Sequence, residues 1–411
     1  MSVASDHGSK RASRNPFGTV RPYGGDPILS LFEDFIADPR AGKVNLGIGI
    51  YMDEDGRIPV LGSVRTAHER LGFGPRPYLP MQGDEGCRRA IQRLVFGDDH
   101  PMSAAGAIAT IQSIGGSGAL GVAADFLAEH RPDGAVYVSD PGWENHHAIF
   151  RRAGLATTSY PYWDEETGTI AFDRMLACLE AAAAGSIIVI QPVCHNPTGL
   201  GFSFEQETTL TELLLRKEHL VVFDLAYQGF GVGIDEDAGF VRRYAARAPC
   251  LVANSFSKTF SLYGERCGGL SIVCRDADEA GRVLGQLKRA VRGYYSNPPT
   301  TAGRLVAEVL TDPALRSSWG GEVAVMRNRM LAMRTALTKR LAKHSVKRLA
   351  RTLVAQQGMF AFSGLSPEAV RGLRAQHGIY LVESGRLCVA GLTPSNLDDV
   401  ARHIASMCAK D

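Results

Sequence analysis

No apolar stretch of this chain is long enough to cross a bilayer. The opening residues, MSVASDHGSKRASRNPFGTV, have neither the apolar core of a secretory signal nor the apolar helical face of a transit peptide. They read as an N-terminal arm, and the expected location is the cytoplasm. Charge of one sign is also missing. Lys and Arg number 45 against 43 Asp and Glu, a formal net charge of +2, so no global field recruits nucleic acid or an anionic membrane. The eight cysteines (Cys87, Cys178, Cys194, Cys250, Cys267, Cys274, Cys388 and Cys408) form no Cys-x-x-Cys pair, and several lie in apolar runs. Free thiols in a reducing compartment are expected, without disulfides and without a bound metal. Internal repeats, low-complexity linkers, the dinucleotide fingerprint and the P-loop spacing are absent as well.

Alternation is what the chain does contain. Short apolar runs occur at GAVYVSD (134–140), GSIIVIQPV (185–193), HLVVFDLAY (219–227), PCLVANSF (249–256) and GGLSIVC (268–274), and helical stretches such as EQETTLTELLLRKE fall between some of them. This pattern predicts an α/β fold with a mainly parallel sheet. At 411 residues the chain has room for two domains. After about residue 300 long helical stretches take over, followed by short strands around GMFAFSGL and Arg386. DPILSLFEDFIAD predicts a helix opened by Asp-Pro, and KVNLGIGIYMDEDG an extended segment ending in a turn. The expected division is an arm over 1–25, a large domain over 60–325, and a smaller α+β domain built from 26–59 and 326–411.

The chemistry centres on NSFSKTFSLYGERCGG. A lysine amine is protonated in water, but burial and nearby cations lower its pKa, and it can then form a Schiff base with a carbonyl. Ser255, Ser257 and Arg266 around Lys258 suit a phosphate. A lysine joined to an aldehyde beside a phosphate cradle describes pyridoxal 5'-phosphate, although a surface lysine in a Ser-rich loop is the commoner occurrence. Asp224 ends an apolar run, where it can keep a pyridine nitrogen protonated, or can serve only as a turn residue. Tyr227 follows three residues later. In QSIGGSGAL, Gly115, Gly116 and Ser117 precede a helix whose free N–H groups attract phosphate. DPGWENHHAIF carries Trp143, which can stack on an aromatic ring, and His146, which can bond a buried carboxylate. CHNPTG places Asn196 in a turn. Arg292 and Arg386 are each either surface cations or forks for a carboxylate.

Taken together, KVNLGIGIY, GWENH, CHNPTG, FDLAYQGF, NSFSK, YGERCGG, YYSNPP, GMFAFSG and SGRLCVAG resemble the class I aminotransferases of pyridoxal-phosphate fold type I, over nearly the whole chain from Asp26. The nearest likeness is to the bacterial aromatic-amino-acid (tyrosine) branch, sister to the aspartate aminotransferases. The resemblance implies a seven-stranded, mainly parallel sheet sandwiched by helices, with a smaller α+β domain beside it. It implies that Lys258 is the Schiff-base lysine and proton shuttle, that Asp224 pairs with the ring nitrogen with His146 behind it, and that Tyr227 and Asn196 bond the phenolate oxygen. Trp143 would stack on the ring, and Gly116, Ser117, Ser255, Ser257 and Arg266 would hold the phosphate. Tyr78 would reach the phosphate of a neighbouring subunit, so the implied assembly is a homodimer with shared active sites. Arg386 would clamp the substrate α-carboxylate, and Arg292, from across the interface, a distal carboxylate. Gly49, Ile50, Met52, Asn297 and Phe360 would join Trp143 and Asn196 around the substrate.

Ile50, Met52, Ile58 and Pro77 stand where dicarboxylate-selective relatives tend to be polar, and an apolar wall lowers the cost of seating a phenyl ring. The expected reaction is ping-pong transfer of an amino group between Phe, Tyr or Trp and 2-oxoglutarate, with residual activity on Asp and Glu. Other departures are Gly115 in place of a hydroxyl residue, Gln191 in place of His, and Asn297, a form associated with the aspartate branch. An aspartate-preferring enzyme, one specific for a modified aromatic amino acid, a lyase or decarboxylase on the same fold, and a ligand sensor without catalysis are the competing readings.

Overall fold

The computed structural model describes residues 17–26 and 28–408, so most of the expected arm and Pro27 lie outside the described residues. Eleven strands are present among them: β1 (Val44–Asn45), β2 (Ile108–Ile114), β3 (Val136–Asp140), β4 (Thr157–Pro161), β5 (Ile187–Ile190), β6 (Leu220–Leu225), β7 (Cys250–Ser255), β8 (Cys267–Val273), β9 (Phe360–Phe362), β10 (Ile379–Tyr380) and β11 (Arg386–Cys388). Seven form the central sheet in the order β2-β8-β7-β6-β5-β3-β4. The strands from β7 through β4 pair in parallel, and β8 runs antiparallel to both of its neighbours.

Unbroken apolar runs make the inner strands because both faces of this sheet are covered. Successive side chains point to opposite faces, and they feed two separate cores. Ile188, Ile190, Val221, Phe223 and Val252 join one cluster. Ile187, Val189, Val222, Leu251 and Ala253 join the other. The two strands that the apolar runs did not reveal, β2 and β4, are the two edges of the sheet. They carry polar residues such as Thr110, Gln112, Thr157 and Ser159. The buried ones in β2 are satisfied: Thr110 Oγ1 lies 2.8 Å from Ser271 Oγ, and Gln112 Nε2 donates to Pro299 O at 2.8 Å.

The first helix starts at Leu29 and ends at Ala37. Asp26 Oδ1 caps its approach, accepting from the backbone N–H of Ile28 and Leu29 at 2.9 and 2.8 Å. Of the extended segment that follows, only β1 pairs, in parallel with β10. The C-terminal part adds the antiparallel pair β9–β11. The 31-residue helix Pro313–Lys343 runs continuously past position 325.

Strand spacing is tight where β8 begins. A Cβ on Gly268 would stand 2.5 Å from Asn254 O and 2.7 Å from Gly115 C, both backbone atoms. Gly268→Ala is therefore expected to lower stability by about 1–3 kcal/mol, measured as an earlier urea midpoint with an unchanged slope; an unaltered midpoint would contradict the tight strand contact.

Candidate active site

Strand direction assembles the site. Because β8 is antiparallel, its first residues lie beside the last residues of its neighbours: Cys267 pairs with Ile114, and Gly268 with Ser255. Arg266, just before β8, thus meets the start of the helix Gly115–His130 and the Ser-Phe-Ser-Lys turn after β7. Its Nη1 donates to Ser257 Oγ at 3.2 Å and to Tyr263 O at 3.1 Å. Arg266 itself is in the left-handed region, φ 52°. Gly115 has φ +75°, and a Cβ there would lie 2.7 Å from Arg266 Nη2. A hydroxyl residue here would have to hold this left-handed backbone and displace the guanidinium, so the glycine exchanges one donor for room. Helix N–H groups, two serine hydroxyls and a guanidinium around one point form an anion cradle.

Asp224, one residue before the end of β6, is buried, and its Oδ2 lies 2.8 Å from Nε2 of the buried His146. The other His146 nitrogen, Nδ1, has no partner among the described residues. Trp143 meets His146 edge-on, with ring centroids 5.1 Å apart. Lys258 Nζ lies 5.0 Å from the Tyr227 ring centroid and has no hydrogen-bond partner among the described residues. Burial pulls its amine from 10.5 down to about 8, partly opposed by the charge of Asp224. Burial, and then Asp224, push the Tyr227 hydroxyl upward, which keeps it a donor. Arg386 is 4% exposed; burial lowers its pKa from the ordinary arginine value. It donates to Asn196 Oδ1 at 3.1 Å and to Gly47 O, which leaves the Asn196 amide nitrogen as a spare donor. These groups surround one cavity of about 210 Å³. Lysine and two arginines face a single carboxylate there, an arrangement suited to anionic ligands.

The Aminotransferase class I and II family profile matches residues 41–404. The aromatic-amino-acid aminotransferase of Escherichia coli K12 is 50% identical over 395 residues, covering 95% of this chain and all of that protein. The aspartate aminotransferase of Pseudomonas aeruginosa PAO1 is 44% identical over 394 residues, covering 95% of this chain and 99% of that protein. A solved aromatic-amino-acid aminotransferase from Burkholderia pseudomallei, covalently bound to pyridoxal phosphate, superposes with a TM-score of 0.92 at 47% identity, covering 95% and 99% of the two chains. The chain belongs to the class I and II aminotransferases.

Of the residues that sequence reasoning selected in this aminotransferase, Gly49, Gly116, Ser117, Trp143, Asn196, Asp224, Tyr227, Ser255, Ser257, Lys258, Arg266, Phe360 and Arg386 share the cavity wall. His146 stands behind Asp224. Ile50, Met52, Tyr78, Arg292 and Asn297 are not on the wall formed by this single chain. Ile50 and Met52 are half-buried while Tyr51 between them is buried, with its N–H on Tyr263 Oη at 2.8 Å. Tyr78 is 93% exposed. Arg292 is exposed at the end of the helix Ala277–Tyr294 and donates to Ser296 Oγ. Four wall residues had been given no role: Ile28, Gln191, Ala226 and Tyr263. Gln191 grips the main chain of Asn196, accepting from its N–H at 3.0 Å and donating to its carbonyl at 3.2 Å. Its departure from the usual residue was a visible signal. Tyr263 opens the quoted YGERCGG stretch, three residues before Arg266, and was passed over there; Ile28 offered no signal.

The depressed Lys258 pKa has a sign that can be tested. Between pH 8 and 10.5 the unfolded chain holds a proton that the folded chain has released, so the penalty is full below the folded value and gone above the unfolded one. In cofactor-free protein, Lys258→Met is expected to add roughly 2 kcal/mol near neutral pH, less than the full linkage because the amine borders solvent. That gain should fade toward pH 10. Urea unfolding of both proteins at the two pH values checks it, and an equal gain at both would refute a neutral amine.

Proposed function

We propose that this chain is a pyridoxal-phosphate-dependent aminotransferase that exchanges the amino group of Phe, Tyr or Trp with 2-oxoglutarate by a ping-pong cycle, with residual activity on Asp and Glu. The observation that carries the reading is the unpartnered Lys258 amine, placed with the anion cradle, the Asp224–His146 pair and Arg386 around one cavity.

The residues present fit the cofactor. Gly116 and Ser117 at the helix start, with Ser255, Ser257 and Arg266, would hold its phosphate; Asp224 would hold the ring nitrogen, and Tyr227 and Asn196 the phenolate oxygen. When bound, pyridoxal phosphate supplies an aldehyde that captures amines and a cationic ring that takes up the electron pair left at the substrate Cα. The protein's own groups do the rest. The Asp224 carboxylate would keep the ring nitrogen protonated, and His146 orients that carboxylate. The lowered Lys258 pKa leaves a usable neutral fraction at physiological pH, so this amine can take the proton from the substrate Cα and return it. Arg386 binds the α-carboxylate in a buried, low-dielectric place where the contact is strong.

The preference for aromatic substrates is supported by the relatives' names and by Ile28, Trp143, Tyr263 and Phe360 among the residues lining the cavity. Arg292 lies outside the single-chain cavity, which accords with its supply from a second copy. Phe73, at 97% exposure, Tyr78 at 93% and Val60 at 66% give a homodimer apolar surface to bury. Residues 26–59 and 326–411 act as the smaller domain against 60–325 in this reading. The working location is the cytoplasm; among the described residues no helix is long and apolar enough to cross a membrane.

Lys258→Ala is expected to lower turnover roughly 10⁴-fold or more, and borohydride reduction of wild-type protein should leave a cofactor-derived mass on Lys258. Near-normal multiple turnover by the variant would remove the assignment. Arg292→Leu is expected to reduce kcat/KM for Asp and 2-oxoglutarate by roughly 100-fold while changing that for Phe little. Equal losses on all three would count against dual specificity, and a wild-type kcat/KM higher for Asp than for Phe would favour an aspartate-preferring enzyme.

A further inference from the structure

We propose that Arg334 is a positioning residue for carboxylate recognition: from the long helix Pro313–Lys343 it fixes the backbone at Gly358 and Phe360, and the Phe360 ring in turn sets the Arg386 guanidinium.

The position is unusual for an arginine. Buried residues of this helix recur as Met326, Met330, Arg334, Leu337 and Leu341, so Arg334 interrupts an otherwise apolar seam. It is 2% exposed. No carboxylate pairs with it among the described residues; the titratable groups that act on it are the thiols of Cys194 and Cys388, and burial draws its pKa down to about 10. Its Nη1 lacks a partner among the described residues. A buried guanidinium without a counter-charge is costly. A helix serving only to pack would carry methionine or leucine here, as the neighbouring turns do.

The other terminal nitrogen shows what offsets that cost. Arg334 Nη2 donates to Gly358 O at 2.7 Å and to Phe360 O at 2.9 Å. Gly358 has φ +75°, and a Cβ there would lie 2.6 Å from Cys194 Cβ. The turn into β9 is therefore confined on both sides. Phe360 pairs with Cys388 across β9 and β11, and Arg386 pairs with Phe362 on the same ladder. The Phe360 ring lies 4.3 Å beneath the Arg386 guanidinium carbon and meets Tyr227 edge-on at 5.9 Å. A Cβ on Gly49 would come within 2.8 Å of its Cζ, so the ring has little room to shift without displacing the fork above it. One side-chain nitrogen of a residue that does not itself line the cavity thus sets the floor under the substrate-binding arginine.

The inference rests on the reading of Arg386 as the carboxylate fork. Its test uses holoenzyme and a binding probe, 3-phenylpropionate, which has the carboxylate and no amine. Arg334→Met is expected to weaken the probe and raise KM for both Phe and 2-oxoglutarate by roughly tenfold, with kcat within about threefold of wild type and cofactor absorbance unchanged. Arg334→Lys, which keeps one charged donor, should recover most of the loss. If Arg334→Met does not fold, a cycle of Arg334→Gln, Phe360→Leu and the double variant decides: coupled effects on probe affinity support the proposal, and additive ones overturn it. A folded Arg334→Met with a lower melting temperature but normal probe affinity also overturns it. Arg386→Leu separates the two ideas. If it abolishes probe binding while the Arg334 variants bind normally, the positioning role alone falls; if it leaves binding intact, the fork reading falls and the positioning role with it.

Discussion

Strand β8 runs against both of its neighbours, and the site depends on that reversal. In an all-parallel sheet, the residue before a strand lies at the opposite edge from the residues after its neighbours. Here Cys267 pairs with Ile114 and Gly268 with Ser255. The residue before β8 therefore shares an edge with the residues after β2 and β7. Arg266, Gly115, Ser255 and Ser257 converge for that reason, and Lys258 arrives with them. Two glycines make the convergence possible: Gly268, where a Cβ would meet backbone, and Gly115, whose left-handed φ of +75° suits glycine.

Charge is the second constraint. Lys258, Arg266 and Arg386 surround one carboxylate, Asp224, whose hydrogen-bond partner is a histidine. Like charges near one another in a poorly solvated place repel, and burial lowers both the Lys258 amine and the Arg386 guanidinium. An anionic ligand relieves this imbalance. The same imbalance makes a reactive amine, since an uncharged lysine is a base and a nucleophile. Stability is given up locally at such places and recovered in the two cores on either side of the sheet.

Much of this was legible beforehand. Residues that touch the ligand space from strand ends and glycine-rich turns are marked by their neighbours, so Lys258, Asp224, Gly116 and Asn196 could be picked from local runs. The inner strands were visible because burial on both faces makes them apolar throughout. The edge strands β2 and β4 were not, because their polar residues find partners in flanking elements, as Gln112 does at Pro299. Ala226 and Tyr263 sit beside selected residues but carry no charge or strong donor that singles them out, and nothing near Ile28 in the sequence points to the cavity it lines.

Residue order alone determined the α/β alternation, the chemical kit of one lysine, one carboxylate and several anion-binding groups, and the family likeness. These follow from short-range periodicity and from side-chain types, which are properties of neighbours in the chain. Only the tertiary structure decided which groups meet. It put Arg386 over Phe360, Gln191 on the backbone of Asn196, and Arg334 in an apolar seam beneath them. Those contacts join residues far apart in sequence, or turn on the local backbone direction, and they arise from strand register and helix packing, which no local run of amino acids specifies.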